Sequence, residues 1–129
     1  MVSMVIVSHS QKIAEGVMEL AKQMAPEVSI EAAGGTCDGR LGTDIEKIIS
    51  AIEKVYSDDG VLILFDLGSA FMNTEIALEM LPEEMRAKVE IIDLPLVEGA
   101  ISASVECTVG RNLKEIKDNL KNMAMGKIM

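Results

Sequence analysis

The sequence predicts an α/β fold, with a doubly wound, mainly four-stranded parallel sheet in the order 2-1-3-4 and helices on both faces. Short apolar runs alternate along the chain with segments of helical period, as in repeated βαβ units. The runs 4–7 and 61–65 are apolar throughout, which is typical of central parallel strands buried on both faces. Because parallel crossovers are right-handed, placing these two strands at the centre gives the order 2-1-3-4.

The remaining elements follow from their patterns. Residues 28–32 alternate as an edge or half-buried strand does, and residues 89–94 form a fourth, mixed strand. Four helices are expected to turn apolar residues inward: Ile13, Val17, Leu20 and Met24; Ile45, Ile48, Ile49, Ile52, Val55 and Tyr56; Phe71, Ile76, Ala77 and Met80; Leu113, Ile116, Leu120 and Met123. A further buried helix, rich in Ala, Ser and Val, is expected over residues 98–109.

Helix ends are marked by capping residues. The segment from Thr43 to Glu46 reads as a capping box that opens the second helix. The third helix is expected to follow Gly68 and to stop near Pro82. Asn112 is the expected N-cap of the last helix.

Composition excludes several classes of function. The formal net charge is −9 and only three residues are aromatic, which disfavours nucleic acid as a partner. No apolar run approaches the ~20 residues that cross a bilayer, and no basic-then-apolar leader opens the chain. Two cysteines, Cys37 and Cys107, are too few for a disulfide scaffold. We therefore expect a cytoplasmic protein that binds neither membranes nor nucleic acid.

The first predicted strand ends at the only histidine, His9, and the third ends at Asp66. In the order 2-1-3-4 the topology switches between these two strands, and ligands bind outside the carboxyl ends of strands at such a point. His9 and Asp66 are therefore predicted neighbours. A carboxylate that holds one imidazole nitrogen fixes the tautomer and leaves the other nitrogen free for nucleophilic attack.

Two further segments could bind a phosphoryl group. Gly68-Ser69 opens a helix, and the glycine-rich segment 34–43 ends at another helix start, so both can present backbone N–H groups. Simpler interpretations remain open: Asp66 and Ser69 could each be helix caps, and the glycines could serve only a tight loop.

Other chemistries are disfavoured. The glycine segment lacks the lysine of a Walker loop, and Cys37 has no base nearby in the sequence. One histidine and one aspartate are too few to hold a metal ion. No metal and no cofactor is therefore expected.

Four blocks carry a resemblance to a known family: VIVSHS at 5–10, the glycines and threonines of 34–43, FDLGSAFMNTE at 65–75 and PLVEGA at 95–100. With these residues the chain resembles the mannose-type EIIA family of the phosphoenolpyruvate-dependent phosphotransferase system. Within it, the Asp-Leu-Gly-Ser core at 66–69 is more similar to the subunits of dihydroxyacetone kinase than to sugar-permease domains. The resemblance runs end to end and implies one domain over residues 1–129.

The resemblance also implies the roles of individual residues. His9 would be phosphorylated on Nε2, and Asp66 would orient Nδ1. Gly35, Thr36, Thr43 and Ser69 would line the phosphoryl pocket. The family's homodimer would suit the apolar C-terminal stripe, and we see no strand after Asn112 of the kind that permease-type members exchange.

By resemblance, the chain would be a phosphotransferase component with a phosphohistidine intermediate. It would accept phosphate from the histidine phosphocarrier protein and pass it to ADP bound in the nucleotide subunit of the kinase. Three alternatives stay open: the EIIA component of a mannose-family permease, a regulatory module signalling through His9, and an enzyme acting on a free phosphate ester. For the phosphocarrier subunit of the kinase, we expect a partly apolar docking face with an acidic rim.

Overall fold

A computed structural model describes residues 1–128; Met129, the last residue of the expected domain, lies outside the described residues. Its sheet is four-stranded and wholly parallel in the order β2-β1-β3-β4, which confirms the predicted fold. The strands are β1 (Ser3–Ser8), β2 (Ile30–Gly34), β3 (Val61–Phe65) and β4 (Val89–Ile92). β2 therefore begins and ends two residues later than predicted, and it runs directly into the glycine-rich segment.

Helices cover both faces of this sheet. They are α1 (Gln11–Met24), α2 (Ile45–Val55), α3 (Gly68–Glu79), α4 (Glu83–Arg86), α5 (Leu96–Thr108) and α6 (Leu113–Leu120), followed by one 3-10 turn (Lys121–Met123). The single turn α4 was not predicted. Within the described residues, no helix combines the length and apolarity that crossing a bilayer requires.

Alternation along the strands divides the core into two layers. Met4, Ile6 and Leu64 face a cluster that includes α1, α5 and α6. Val7 and Phe65 face a second cluster, formed with α2 and α3. The central strands β1 and β3 are buried along their whole length, as their continuous apolar runs predict.

Two of the predicted helix faces are only partly correct: Val17 and Ala77 are buried as predicted, but several of the larger residues are not. α1 packs through Ala14, Val17 and Ala21, while Ile13, Leu20 and Met24 are exposed. α3 packs through Ala70, Thr74 and Ala77, with Phe71 partly buried and Ile76 and Met80 exposed. Small side chains let these helices approach the sheet closely, so the larger residues one position away turn outward.

The predicted faces of α2 and α6 are confirmed, with Ile48, Ile52, Ile116 and Leu120 buried. The C-terminal stripe thus packs into the chain's own core and leaves no free face of the kind expected to support a homodimer. From 113 to 128 the chain forms no strand.

The two capping predictions had different outcomes. Asn112 caps α6 in a reciprocal box with Glu115, which confirms the predicted cap. The box predicted at Thr43 is wrong, because Asp44 caps α2 by accepting from the amides of Glu46 and Lys47.

Candidate functional site

The carboxyl ends of β1 and β3 bring His9 and Asp66 together. Val7 pairs with Phe65 in the parallel ladder, so the residues that follow the two strands emerge side by side. His9 Nδ1 lies 3.0 Å from Asp66 Oδ1, although the residues are 57 positions apart. The predicted neighbours are therefore in direct contact.

Asp66 is held by four hydrogen bonds. Its Oδ2 accepts from the His9 backbone amide and from the Ser8 hydroxyl, both at 2.9 Å. Its Oδ1 accepts from the Leu67 amide at 2.7 Å and faces the His9 ring. Burial acts to raise the pKa of Asp66, but these bonds outweigh it and hold that pKa below its usual value. Asp66 is thus an ionised carboxylate at neutral pH.

Both nitrogens of the His9 ring have partners. Because the ionised Asp66 can only accept, Nδ1 carries a proton and donates it to that carboxylate. In the neutral ring Nε2 is then the unprotonated nitrogen, and in that tautomer it accepts from the Ser69 hydroxyl at 2.6 Å. The lone pair of Nε2 is therefore directed at the start of α3, where it is available to an electrophile once the hydroxyl turns away.

The N-terminus of α3 is suited to an anion. α1, α2 and α6 are each capped by a side chain, from Ser10, Asp44 and Asn112 respectively. α3 has Leu67 at its N-cap and no side-chain cap. Its first amides and the helix dipole can therefore act on a negative group placed beside Nε2.

The glycine-rich segment folds over the end of β1. The Gly35 amide donates to Ser8 O at 3.2 Å, and the Gly42 amide donates to His9 O at 2.8 Å. Gly35 has φ +73° and Gly42 φ +138°, values that side-chain-bearing residues rarely adopt. This geometry places the segment beside His9, as expected from the sequence.

The remaining predicted pocket residues are held mainly by contacts of their own. Thr36 closes the segment on itself, with its amide donating to Arg40 O at 2.9 Å and its hydroxyl bonded to Asp38. The Thr43 hydroxyl accepts a hydrogen bond from Asn73 of α3. Of the four predicted pocket residues, Ser69 alone makes a direct hydrogen bond to the His9 ring in the described structure.

Two positioning residues were not predicted. Ser8 is fully buried, donates to Asp66, and accepts from the Ser10 amide at 3.0 Å. Asn73 joins α3 to the glycine-rich segment through Thr43. Ser8 could have been found as the residue before His9 in a strand otherwise apolar from residue 4, whereas nothing in the local sequence marks Asn73.

The surface around the site is apolar with mixed charge. Three large apolar side chains are exposed here: Leu41 in the glycine-rich segment, Leu67 next to Asp66 in the sequence, and Met72 one turn after Ser69 in α3. Arg40 lies 2.9 Å from Asp38 in the same segment, so the expected acidic rim is at this point an ion pair. Among the described residues, no group of three His, Cys, Asp or Glu side chains could hold a metal ion.

Comparison with known proteins identifies the family of the chain. A family model described as EIIA-man, PTS system fructose IIA component, matches residues 3–117. The chain belongs to this family. Among curated relatives, it is 44% identical to the phosphoryl donor subunit DhaM of PEP-dependent dihydroxyacetone kinase 2 from Listeria innocua, over 95% of this chain and 99% of that one. It is 39% identical to the phosphotransferase subunit DhaM of the PTS-dependent dihydroxyacetone kinase of Lactococcus lactis, over 95% and 96% of the two chains.

Other relatives are longer or more distant. The chain is 43% identical to Escherichia coli DhaM, but it spans only 25% of that protein. A crystal structure of EF1359, a protein of unknown function, superposes with a TM-score of 0.84 at 36% identity over 96% of both chains. An EIIA component from Streptococcus agalactiae gives 0.68 at 17% identity over 95% of this chain and 92% of that one, which bears on the fold alone.

Proposed function

We propose that this chain is the phosphocarrier subunit of a phosphoenolpyruvate-dependent dihydroxyacetone kinase system. His9 accepts a phosphoryl group from the histidine phosphocarrier protein and passes it to ADP bound in the nucleotide subunit of the kinase. The observation that carries the proposal is the pairing of His9 Nδ1 with Asp66 Oδ1 at 3.0 Å, which leaves Nε2 facing the uncapped start of α3. The identity to DhaM subunits supports the kinase system as the destination.

In the loading step, the lone pair of His9 Nε2 attacks the phosphorus of the donor's phosphohistidine. The new N–P bond forms as the donor's N–P bond breaks, and the donor nitrogen keeps the electron pair. The His9 ring gains positive charge, which the Asp66 carboxylate stabilises through Nδ1. In-line geometry and donors for the phosphoryl oxygens are the main requirements of this chemistry.

Ser69 has two positions in this scheme. Before transfer its hydroxyl donates to Nε2. As phosphorus approaches, the hydroxyl turns to donate to a phosphoryl oxygen, alongside the first amides of α3. The amides of Gly35 and Gly42 donate to backbone carbonyls and are therefore not available to the phosphoryl oxygens. The glycine-rich segment, with Thr36 and Thr43, instead forms the wall of the pocket.

In the discharge step, a terminal oxygen of ADP attacks the same phosphorus, and the bonding pair returns to Nε2. Selectivity then depends on which partner brings its acceptor in line with that nitrogen. The exposed Leu41, Leu67 and Met72 support docking of a protein partner here. Free dihydroxyacetone has no part in the scheme, because the kinase subunits hold the sugar.

The proposal includes a cytoplasmic homodimer. With the C-terminal stripe buried, its support comes from the exposed Ile13, Leu20 and Met24 of α1. Light scattering during gel filtration measures the mass, and a monomer at micromolar concentration would remove this part of the proposal.

The test is transfer of label between purified proteins. Incubation with phosphoenolpyruvate, enzyme I and the phosphocarrier should add one acid-labile, base-stable phosphate per chain. Because His9 is the only histidine, His9→Gln should abolish this label, while circular dichroism and urea unfolding remain those of a folded chain. Label that persists in His9→Gln, or that is stable in acid, would refute a phosphohistidine.

The acceptor is tested with the labelled chain. Kinase subunits loaded with ADP should discharge phospho-His9, whereas ADP or dihydroxyacetone alone should not. Discharge by mannose-type permease subunits and not by the kinase would assign the chain to sugar transport. Rapid discharge by a free small molecule would instead indicate a phosphate-ester enzyme.

A further inference from the structure

The segment after α6 returns to the candidate site, where Lys127 contributes a partly buried ammonium group. Lys127 Nζ donates to Phe65 O and to Leu94 O, both at 2.7 Å. The same ammonium lies 4.5 Å from the centroid of the Phe65 ring. The side chain is largely buried, and burial of an ammonium is unfavourable unless its donors are satisfied. Its role therefore needs an explanation beyond solubility.

Lys127 stands where the β3–β4 ladder stops. The last pair in that ladder is Leu64 with Ile92, and the next residues, Phe65 and Asp93, are not paired. The ammonium bridges the carbonyls of Phe65 and Leu94 in place of a further rung. The two strand ends are thus joined by a side chain that comes from a distant part of the sequence.

The backbone of Lys127 completes the attachment. Its amide donates to Asp93 Oδ2 at 2.8 Å, while Asp93 Oδ1 is buried without a hydrogen bond and lies 3.9 Å from the ammonium. The Lys127 carbonyl lies 3.4 Å from where a Cβ on Gly68 would stand. Lys127 is therefore bonded to Phe65, just before Asp66, and lies near Gly68, just after it.

We propose that Lys127 is a positioning residue for phosphoryl transfer at His9, because it fixes the strand end that carries Asp66. The proposal rests on the proposed function for its kinetic consequence. Its structural consequence, the order of the His9–Asp66 pair, does not depend on that function. Without the ammonium, two buried carbonyls lose their donor, and the turn from β3 into α3 loosens.

The kinetic test uses matched lysine variants. Lys127→Met keeps the length of the side chain and removes its charge and donors; Lys121→Met makes the same change at an exposed position of the same segment. In steady-state turnover with the phosphocarrier as donor and excess ADP-loaded kinase as acceptor, so that loading limits the rate, Lys127→Met should lower kcat about tenfold, equivalent to ~1.4 kcal/mol, and leave the KM for the phosphocarrier within about twofold. Lys121→Met should leave both unchanged, and Lys127→Arg should recover most of the lost kcat.

A second readout needs no phosphate. The single imidazole gives one Nδ1–H proton signal in NMR spectra, protected by its bond to Asp66. This signal should exchange at least about fivefold faster with water in Lys127→Met than in Lys121→Met, since local opening exposes it. If Lys127→Met does not fold, the experiment uses Asp93→Asn instead. This variant weakens the same attachment and should give the same change in exchange.

The outcomes separate the two proposals. Unchanged kcat and unchanged exchange in Lys127→Met would overturn the positioning role while leaving phosphorylation of His9 intact. If exchange is faster in Lys127→Met but the unmodified chain takes no label from the phosphocarrier, the proposed function is overturned. Lys127 would then still order the His9–Asp66 pair. A fall in kcat matched by Lys121→Met would also overturn the inference, because the effect would then come from net charge.

Discussion

Replacing Asp66 by asparagine tests the electrostatic half of the mechanism. The carboxylate accepts four hydrogen bonds, two on each oxygen. Asparagine has one oxygen, so its amide NH₂ must face either the His9 backbone amide or the Nδ1–H of the ring. In the first orientation a backbone donor is left unsatisfied, at a cost of about 1–3 kcal/mol in the free energy of unfolding. In the second, the Leu67 amide loses its acceptor, and the ring is driven to the tautomer with Nε2 protonated, which cannot attack phosphorus.

Either orientation removes the negative charge that stabilises the developing imidazolium. Loss of one such preorganised interaction costs about 3–4 kcal/mol in the transition state, so Asp66→Asn should slow single-turnover loading about 10²- to 10³-fold. Rapid quench with labelled phosphocarrier in excess measures this rate without a contribution from docking. Asp58→Asn, an exposed carboxylate at the opposite edge of the sheet, is the matched control. A folded Asp66→Asn chain that loads within about threefold of the unmodified rate would refute the reasoning.

Two further predictions concern stability. The folded-state pKa of Asp66 is lowered, so its contribution to the free energy of unfolding is complete above the unfolded-state pKa of about 4 and is lost as pH falls through the folded-state pKa. In urea unfolding between about pH 5 and pH 2, the free energy of unfolding should therefore fall more steeply for the unmodified chain than for Asp66→Asn. Equal slopes would contradict the pKa shift. A Cβ on Gly34 would lie 2.6 Å from Ser10 O and 2.7 Å from Ala14 Cβ, so Gly34→Ala should lower the free energy of unfolding by about 1–3 kcal/mol. Gly16→Ala, with nothing within 4 Å of the new methyl group, should instead stabilise α1 by up to about 1 kcal/mol, and equal effects of the two variants would contradict the packing argument.

The strand order and the His9–Asp66 contact could be predicted because they depend on strong, local signals. Two fully apolar runs identify the central strands, and the polar residues at the carboxyl ends of both strands must emerge at the same edge of a parallel sheet. The register of Val7 with Phe65 then brings the two side chains within hydrogen-bond distance. None of this requires knowledge of side-chain packing.

The helix faces were predicted less well, because a hydrophobic pattern selects large apolar residues as the buried ones. It gives no information on how closely a helix approaches the sheet. Ala14 and Ala21 face the sheet where Ile13 and Leu20 were expected, since a small side chain permits a shorter distance between helix and sheet. Lys127 was missed for a different reason. It follows an irregular segment, and its partners are backbone carbonyls that no sequence pattern marks.

The candidate site is joined from parts of the chain that are made at different times. β1 can pair with β3 only after about sixty residues of chain, including α1, β2 and α2, have been synthesised. Until then His9 is an ordinary imidazole with no carboxylate behind it and no helix end in front of it. A nascent or unfolded chain should therefore be a poor acceptor, and the extent of labelling would count native molecules. Under the proposed function, loading by the phosphocarrier would therefore also report whether the chain has folded.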